Sequence, residues 1–155
     1  MVFRLKRTRI GEAGASLLEV SIVSMMISVV LASSAVSVRT HVATREVRGW
    51  SDAIVSDLRA AQQLGIARRA SVTVTFAARG GGTPATYSTT VGGVTVRQQA
   101  LPPALNLTSV TVNLNTLGVP LSANPVSLTI SHGGTNRTRT ITVAPVSGAV
   151  TVSEP

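Results

Sequence analysis

Residues 14–38 read GASLLEVSIVSMMISVVLASSAVSV, and the interpretation of the whole chain depends on this stretch. From Ala15 to Val38 the only ionisable side chain is Glu19. These 24 residues would span about 36 Å as a helix, which is enough to cross a bilayer. The serines in the stretch are compatible with such a helix, because a hydroxyl can donate to a carbonyl one turn earlier. The stretch therefore predicts a membrane-spanning helix.

The residues before this stretch are basic and predict its orientation. Basic side chains collect on the cytoplasmic side of a membrane, so the N-terminus is expected there and the rest of the chain in the periplasm. An ordinary secretory signal cleaved near 33–35 and an uncleaved signal anchor both fit this pattern. The basic residues concerned are Arg4, Lys6, Arg7 and Arg9.

Glu19 favours a third interpretation, because a secretory signal and a signal anchor both leave this carboxylate unexplained. A carboxylate at the start of an apolar run costs about 2–3 kcal/mol in a membrane unless it is paired. An acid in this position therefore indicates a functional role.

The sequence Gly14-Ala15-Ser16-Leu17-Leu18-Glu19 resembles the type IV prepilin signal. That signal is a short basic leader ending in Gly, followed by a long apolar helix with Glu at its fifth residue. The resemblance implies that a prepilin peptidase cuts between Gly14 and Ala15 and that the new N-terminus at Ala15 is methylated. The family usually has Phe or Met where this chain has Ala15.

The same resemblance implies a role for Glu19 in assembly. In the family, the corresponding Glu meets the N-terminal amine of a neighbouring subunit, which here would be the amine of Ala15. Two charges that are costly alone in lipid are tolerated as a pair, so the pair can set the register of subunits in a filament.

The helical pattern continues beyond the apolar stretch, across residues 39–70. Apolar or small residues recur at steps of three and four, which is typical of one face of an amphipathic helix. Arg48 and Asp52 lie off this face and are spaced as an i,i+4 ion pair. The residues of the stripe are Val47, Trp50, Ile54, Leu58, Ala61 and Gly65.

After Ala70 the pattern changes to short alternating segments rich in β-branched residues, separated by Gly and Pro turn signals. These segments predict an antiparallel sheet of about five to seven strands packed against the amphipathic half of the helix. The fold class is therefore α+β, with helix and strands segregated along the chain. The segments are 71–77, 94–96, 107–114, 126–131, 138–143 and 149–152.

The order of these parts resembles the H-type pseudopilins of type II secretion and the FimT-like minor pilins (GspH/FimT family). Local likenesses at the helix end and first strand, in two middle loops and in the closing hairpin carry this resemblance. They lie at residues 57–74, at Leu101-Pro102 and Leu117-Gly118, and at residues 140–150.

The sequence offers little for catalysis. His41 and His132 have no acid beside them in sequence, and Gly80-Gly81-Gly82-Thr83 lacks the Lys-Ser/Thr of a phosphate-binding loop. The sequence has no cysteine. We therefore expect a protein that is not an enzyme, with no catalytic residues, no cofactor and no metal site.

The basic charge raises nucleic-acid binding as an alternative. The net charge is +8, but removal of residues 1–14 leaves ten Arg and five acidic residues, a net +5. Arg137 and Arg139 are two apart in a predicted hairpin, so both can reach one phosphate backbone. Some FimT-like pilins are DNA receptors, which makes DNA a possible partner at these two residues. Solvated arginines that discourage edge-to-edge aggregation are the simpler interpretation.

The sequence thus predicts a cleaved leader (1–14), a transmembrane and assembly half-helix (15–38), an amphipathic half-helix (39–70) and a β-rich globular part (71–155). The predicted function is that of a minor pilin or pseudopilin, held in the inner membrane by a single pass. From there it would join other pilins to prime or cap a type II secretion pseudopilus or a type IV pilus. The alternative is a DNA-binding minor pilin for natural transformation.

Overall fold

The structure is a computed structural model, and it describes residues 17–154 apart from the side chains of residues 33–37. The chain separates into two compact units, which divide between Arg39 and Thr40. The described residues form one helix followed by eight strands, which confirms an α+β fold with helix and strands segregated along the chain. The predicted leader and the cut site at Gly14 and Ala15 lie outside the described residues.

The helix α1 comprises Leu17–Arg68. Its sequence contains no proline, which would remove a backbone donor and break the helix. At its end Arg69 takes a left-handed conformation with φ 50°. The Ala70 N–H then donates to the Gly65 carbonyl at 3.2 Å and the Arg69 N–H to the Ile66 carbonyl at 3.4 Å. These two bonds form a Schellman motif, which satisfies carbonyls that the helix end leaves free.

In the first unit, the described part of α1 leaves its large apolar side chains uncovered. Leu17 is 87% exposed, and the values fall no lower than the 48% of Ile22. Within residues 17–154, with the side chains of 33–37 left out, no helix has both the length and the apolarity of a membrane span. The predicted anchor at 15–38 includes positions outside that description.

In the second unit, the predicted apolar stripe of α1 is buried. Val47, Ile54, Leu58 and Ala61 are at most 3% exposed, and Trp50 is half-buried against the same core. This confirms the amphipathic pattern predicted from the steps of three and four. Ser51 is also fully buried, because its hydroxyl donates to the Val47 carbonyl at 2.6 Å and needs no water.

The strands form two antiparallel sheets of four strands each, in the orders β3-β2-β1-β5 and β4-β6-β7-β8. Their bounds are β1 Val72–Ala77, β2 Thr86–Val91, β3 Val94–Ala100, β4 Leu105–Leu107, β5 Val110–Leu114, β6 Val126–His132, β7 Thr138–Val143 and β8 Val150–Ser153. The prediction of one sheet with five to seven strands was therefore wrong in both counts.

Two features of the sequence account for this error. The predicted strand at 107–114 is divided, because Thr108 and Ser109 are both exposed and interrupt the alternation between β4 and β5. The strand β2 was missed because its sequence, TYSTTV, is mostly polar. Its buried positions nevertheless alternate, as Tyr87, Thr89 and Val91.

One core joins the helix to both sheets. Ile54 and Leu58 of α1 cluster with buried residues such as Val74 of the first sheet and Ile130 and Ile141 of the second. The turn between β2 and β3 is Gly92-Gly93, with φ of 56° and 87°. Such two-residue turns need positive φ at both positions, which glycine adopts without steric cost.

Candidate functional site

Glu19 lies in the first turn of α1 and is exposed. A negative charge in the first turn interacts favourably with the helix dipole. Methylation and cleavage at Ala15 and Gly14 fall outside the described residues, so those two predictions stay predictions. What the structure adds is the surroundings of Glu19 on its C-terminal side.

Those surroundings are an apolar surface, on which two serine hydroxyls bond to the helix backbone. The Ser21 hydroxyl donates to the Leu17 carbonyl and the Ser28 hydroxyl to the Ser24 carbonyl, both at 2.8 Å. These two hydroxyls therefore bond within the helix, as predicted, and need no outside partner. The exposed apolar residues around them are Leu17, Leu18, Val20, Ile22, Val23, Met25, Met26, Ile27, Val29, Val30 and Leu31.

A second group of charges lies in the globular unit, where α1, β7 and the residue after β8 meet. The Arg48 Nη2–Glu154 Oε2 and Arg48 Nε–Glu154 Oε1 distances are both 3.0 Å. Arg139 Nη1 lies 3.0 Å from Asp52 Oδ1, and Arg139 Nε lies 3.0 Å from Glu154 Oε1. We call Arg48, Asp52, Arg139 and Glu154 the ionic cluster. The sequence predicted an Arg48–Asp52 pair, whereas the structure gives each of them a partner far away in sequence.

The ionic cluster changes the charge equilibria of its members. The hydrogen bonds from Arg48 lower the pKa of Glu154, and burial, which opposes this, is the smaller effect. The same contact raises the pKa of Arg48. Because the Arg48 side chain is 54% exposed and Glu154 is 44% exposed, solvent screens these interactions.

The two arginines predicted to contact DNA have different surroundings. Arg137 is exposed, while the side chain of Arg139 is only 18% exposed and holds the two acids of the ionic cluster. Both line a small cavity of about 80 Å³ together with Arg48 and Glu154. A phosphate would have to compete with Glu154 and Asp52 for Arg139. The contact with DNA stays a prediction for both residues.

A polar group that sequence reasoning missed links α1 to the first sheet. The Tyr87 hydroxyl donates to Asp57 Oδ2, and Arg97 Nη1 lies 2.6 Å from Asp57 Oδ1. The Gln99 side-chain oxygen lies 3.0 Å from the same hydroxyl. Burial raises the pKa of Tyr87 well above its ordinary value, and the nearby Asp57 carboxylate adds to this.

The carboxylate of Asp57 is mostly shielded from solvent. Its side chain is 12% exposed, and a buried carboxylate needs partners such as Tyr87 and Arg97. The Tyr87 ring stacks on Phe76 at a centroid distance of 5.8 Å. With 2% of its surface exposed, Tyr87 is a core residue rather than a platform for stacking bases. No signal in the sequence pairs position 57 with position 87.

His132 has an acid nearby in space, although it has none nearby in sequence. Its Nε2 lies 3.6 Å from Glu46 Oε2, and its Nδ1 accepts a hydrogen bond from the Gly134 N–H at 3.1 Å. His41 is exposed on α1. Among residues 17–154, no three His, Asp or Glu side chains are grouped so as to hold a metal ion.

Comparison with known proteins assigns no family to this chain. No family model matches the chain, and neither a curated protein nor a solved structure matches it.

Proposed function

We propose that this chain is a minor pilin-like structural subunit, anchored by the first half of α1 in the inner membrane and assembled through Glu19 into a pilus or pseudopilus. The observation that carries the proposal is the contrast along one helix. Residues 17–32 expose their apolar side chains, whereas residues from Ala43 onward supply one face of a buried core.

An uncovered apolar surface of this kind needs a non-aqueous partner. Soluble monomers rarely expose contiguous apolar patches of more than a few hundred Å². The sequence continues without charge through Val38, so the apolar run reaches bilayer length. Lipid before assembly, and the helices of other subunits after it, would both cover this surface.

Glu19 supplies the specific part of the proposal. A carboxylate among Leu17, Leu18 and Val20 favours a cationic partner in an apolar medium. The amine created by cleavage after Gly14 has the required charge, and a neighbouring subunit can supply it. The resulting pair would fix how far one subunit is displaced along the next.

Mass spectrometry of the membrane-purified protein tests the proposal directly. We expect a mature chain that begins at Ala15, with or without a methyl group. A Gly14→Ala variant should retain the leader in the same preparation, because the peptidase signal has been changed. A mature chain beginning at Val36 would identify an ordinary secretory signal and refute the proposal.

A further inference from the structure

The last described strand, β8, is held to its own subunit by few buried contacts. It lies at the edge of its sheet and pairs only with β7 among the described strands. Val150 is half-buried, and Thr151, Val152 and Ser153 are exposed. Since burial of apolar surface is the main source of stability, β8 contributes little to the core.

The turn that leads into β8 is strained. Val146 has φ 67°, and the Ser147 N–H donates to the Pro145 carbonyl at 2.7 Å across it. This is a three-residue turn with a positive φ at its centre, which is rare. Positive φ is a marked outlier for a β-branched residue. An extended connection between β7 and β8 would remove this strain, and Pro145 favours extended backbone at the residue before it.

Beyond its ladder with β7, β8 is anchored on both sides. Before it, the Gln62 side chain of α1 donates to the Gly148 carbonyl at 2.7 Å. After it, Glu154 provides the second anchor. Glu154 bridges Arg48 of α1 and Arg139 of β7. These contacts are partly solvated and depend on charge rather than on shape, so the same two arginines in another copy would accept the same carboxylate equally well.

From these three observations we propose that β8 exchanges between two copies of this chain. The β8 of one copy pairs with β7 of the other, and its Glu154 lies between the Arg48 and Arg139 of that second copy. Every β7–β8 hydrogen bond and ion pair is remade, while Val146 leaves its strained conformation. Short hinges under strain favour this kind of exchange. The proposal requires only a second copy and does not depend on the filament proposed above.

Crosslinking between chains tests the exchange, because the sequence contains no cysteine and each introduced thiol is unique. Thr142 and Thr151 are register partners in β7 and β8. Full-length Thr142→Cys and Thr151→Cys chains with different tags are co-expressed, extracted in detergent and treated with a short bismaleimide. A heterodimer carrying both tags forms at this position only when β8 of one chain lies on β7 of the other.

The matched control uses Thr75→Cys and Thr111→Cys, which are register partners in β1 and β5 and are both exposed. Here β5 is also an edge strand, but it buries Val112 and Leu114 and the chain continues from it into β6, so exchange is not expected. Both thiols in one chain, for either pair, should link internally and show that the reagent reaches them. Thr140 and Ser153 provide a second β7–β8 pair should one variant fail to fold.

We expect the β7–β8 pair to give several-fold more heterodimer than the β1–β5 pair. Val146→Gly should lower that yield by roughly 5- to 30-fold for each exchanged hinge, because glycine adopts positive φ without strain. Ser147→Gly adds the same flexibility at a residue without positive φ and should leave the yield unchanged. A yield no greater than that of the β1–β5 pair, or one that Val146→Gly does not lower, would overturn the proposal.

Discussion

Both halves of α1 contain large apolar residues, but these residues have opposite surroundings. Ile27 in the first half is 53% exposed, whereas Ile54 in the second half is fully buried. The first half has a single acid, Glu19, and the second half is joined to the strands by Asp57, Arg48 and Asp52. Among the described residues, only the second half of α1 buries apolar side chains within the chain. The difference shows that a continuous helix can have two separate environments.

The largest effect is expected for Glu19→Ala, which tests the first half alone. Assembly should fall sharply, because the partner's N-terminal amine loses its countercharge in an apolar medium. Crosslinking between copies through Met25→Cys, an exposed position, measures this. Glu19→Asp keeps the charge and should retain part of the signal.

The same Glu19→Ala variant should melt at the wild-type temperature, since Glu19 lies outside the unit that contains the core. Normal crosslinking by the variant would show that the carboxylate has no role in register.

A matched pair of isoleucine substitutions compares the halves directly. Ile54→Ala should destabilise the globular unit by about 2–5 kcal/mol, because it leaves a cavity in the core. Ile27→Ala should change the free energy of unfolding by less than about 0.5 kcal/mol, since the side chain is already exposed. Thermal melts of the full-length chain in detergent measure both. Equal losses would mean that the first half also packs within the chain.

Tyr87→Phe tests which contact fixes the second half of α1 to the first sheet. It removes a buried hydroxyl that donates to the Asp57 carboxylate, so we expect a loss of about 1.5–3 kcal/mol at neutral pH. Chemical denaturation of the two proteins measures this loss. An unchanged free energy of unfolding would show that Arg97 alone satisfies Asp57.

The difference in free energy of unfolding between wild type and Tyr87→Phe should change with pH in one direction. The pKa of Tyr87 is raised in the folded state, so its contribution is complete below the unfolded value of 10.0 and declines as the pH rises beyond it. The sequence contains one tyrosine and one lysine, so few other groups titrate there. Wild-type stability should fall more steeply than that of Tyr87→Phe between about pH 10 and pH 11.

Glu154→Gln should have a smaller effect, because the ionic cluster is partly exposed. The pKa of Glu154 is lowered in the folded state, so its contribution is present above the ordinary value of 4.5 and is lost as the pH falls below it. The difference in melting temperature between wild type and variant should therefore vanish in acid and in about 1 M salt. A difference that persists under both conditions would assign Glu154 a role in packing.

DNA binding is where we expect the smallest signal. The wild-type chain should bind duplex DNA weakly or not at all, because +5 is a modest charge and Arg139 already holds two acids. If binding occurs, replacing Arg137 and Arg139 with Ala should reduce the salt slope by about 1.8, or 0.9 for each lost phosphate contact.

Arg137→Ala alone is the cleaner variant for this test, because it leaves the ionic cluster intact. Tight, salt-sensitive binding that a folded Arg137→Ala/Arg139→Ala protein loses would favour the DNA-uptake alternative. Circular dichroism must first show that the β-sheet signal of the variant is native.

The sequence by itself determined the helix, its amphipathic second half and most of the strands. These features depend on local periodicity, and periods of 3.6 and 2 residues can be read along one segment. Gly14, Ala15 and Glu19 were selected by their resemblance to the type IV prepilin signal, and their roles stay predictions. The polar strand β2 escaped this reasoning, because only its neighbours β1 and β3 explain why Tyr87 and Thr89 are buried.

Only the tertiary structure decided which charged groups meet and how the strands divide into two sheets. Arg48 and Glu154 are 106 residues apart, and Asp57 and Tyr87 are 30 apart. No periodicity within either segment encodes such a pairing, because it depends on how α1 packs against strands from both sheets. The strain at Val146 is decided in the same way, since the antiparallel pairing of β7 with β8 forces the four residues between Ala144 and Ala149 to reverse the chain.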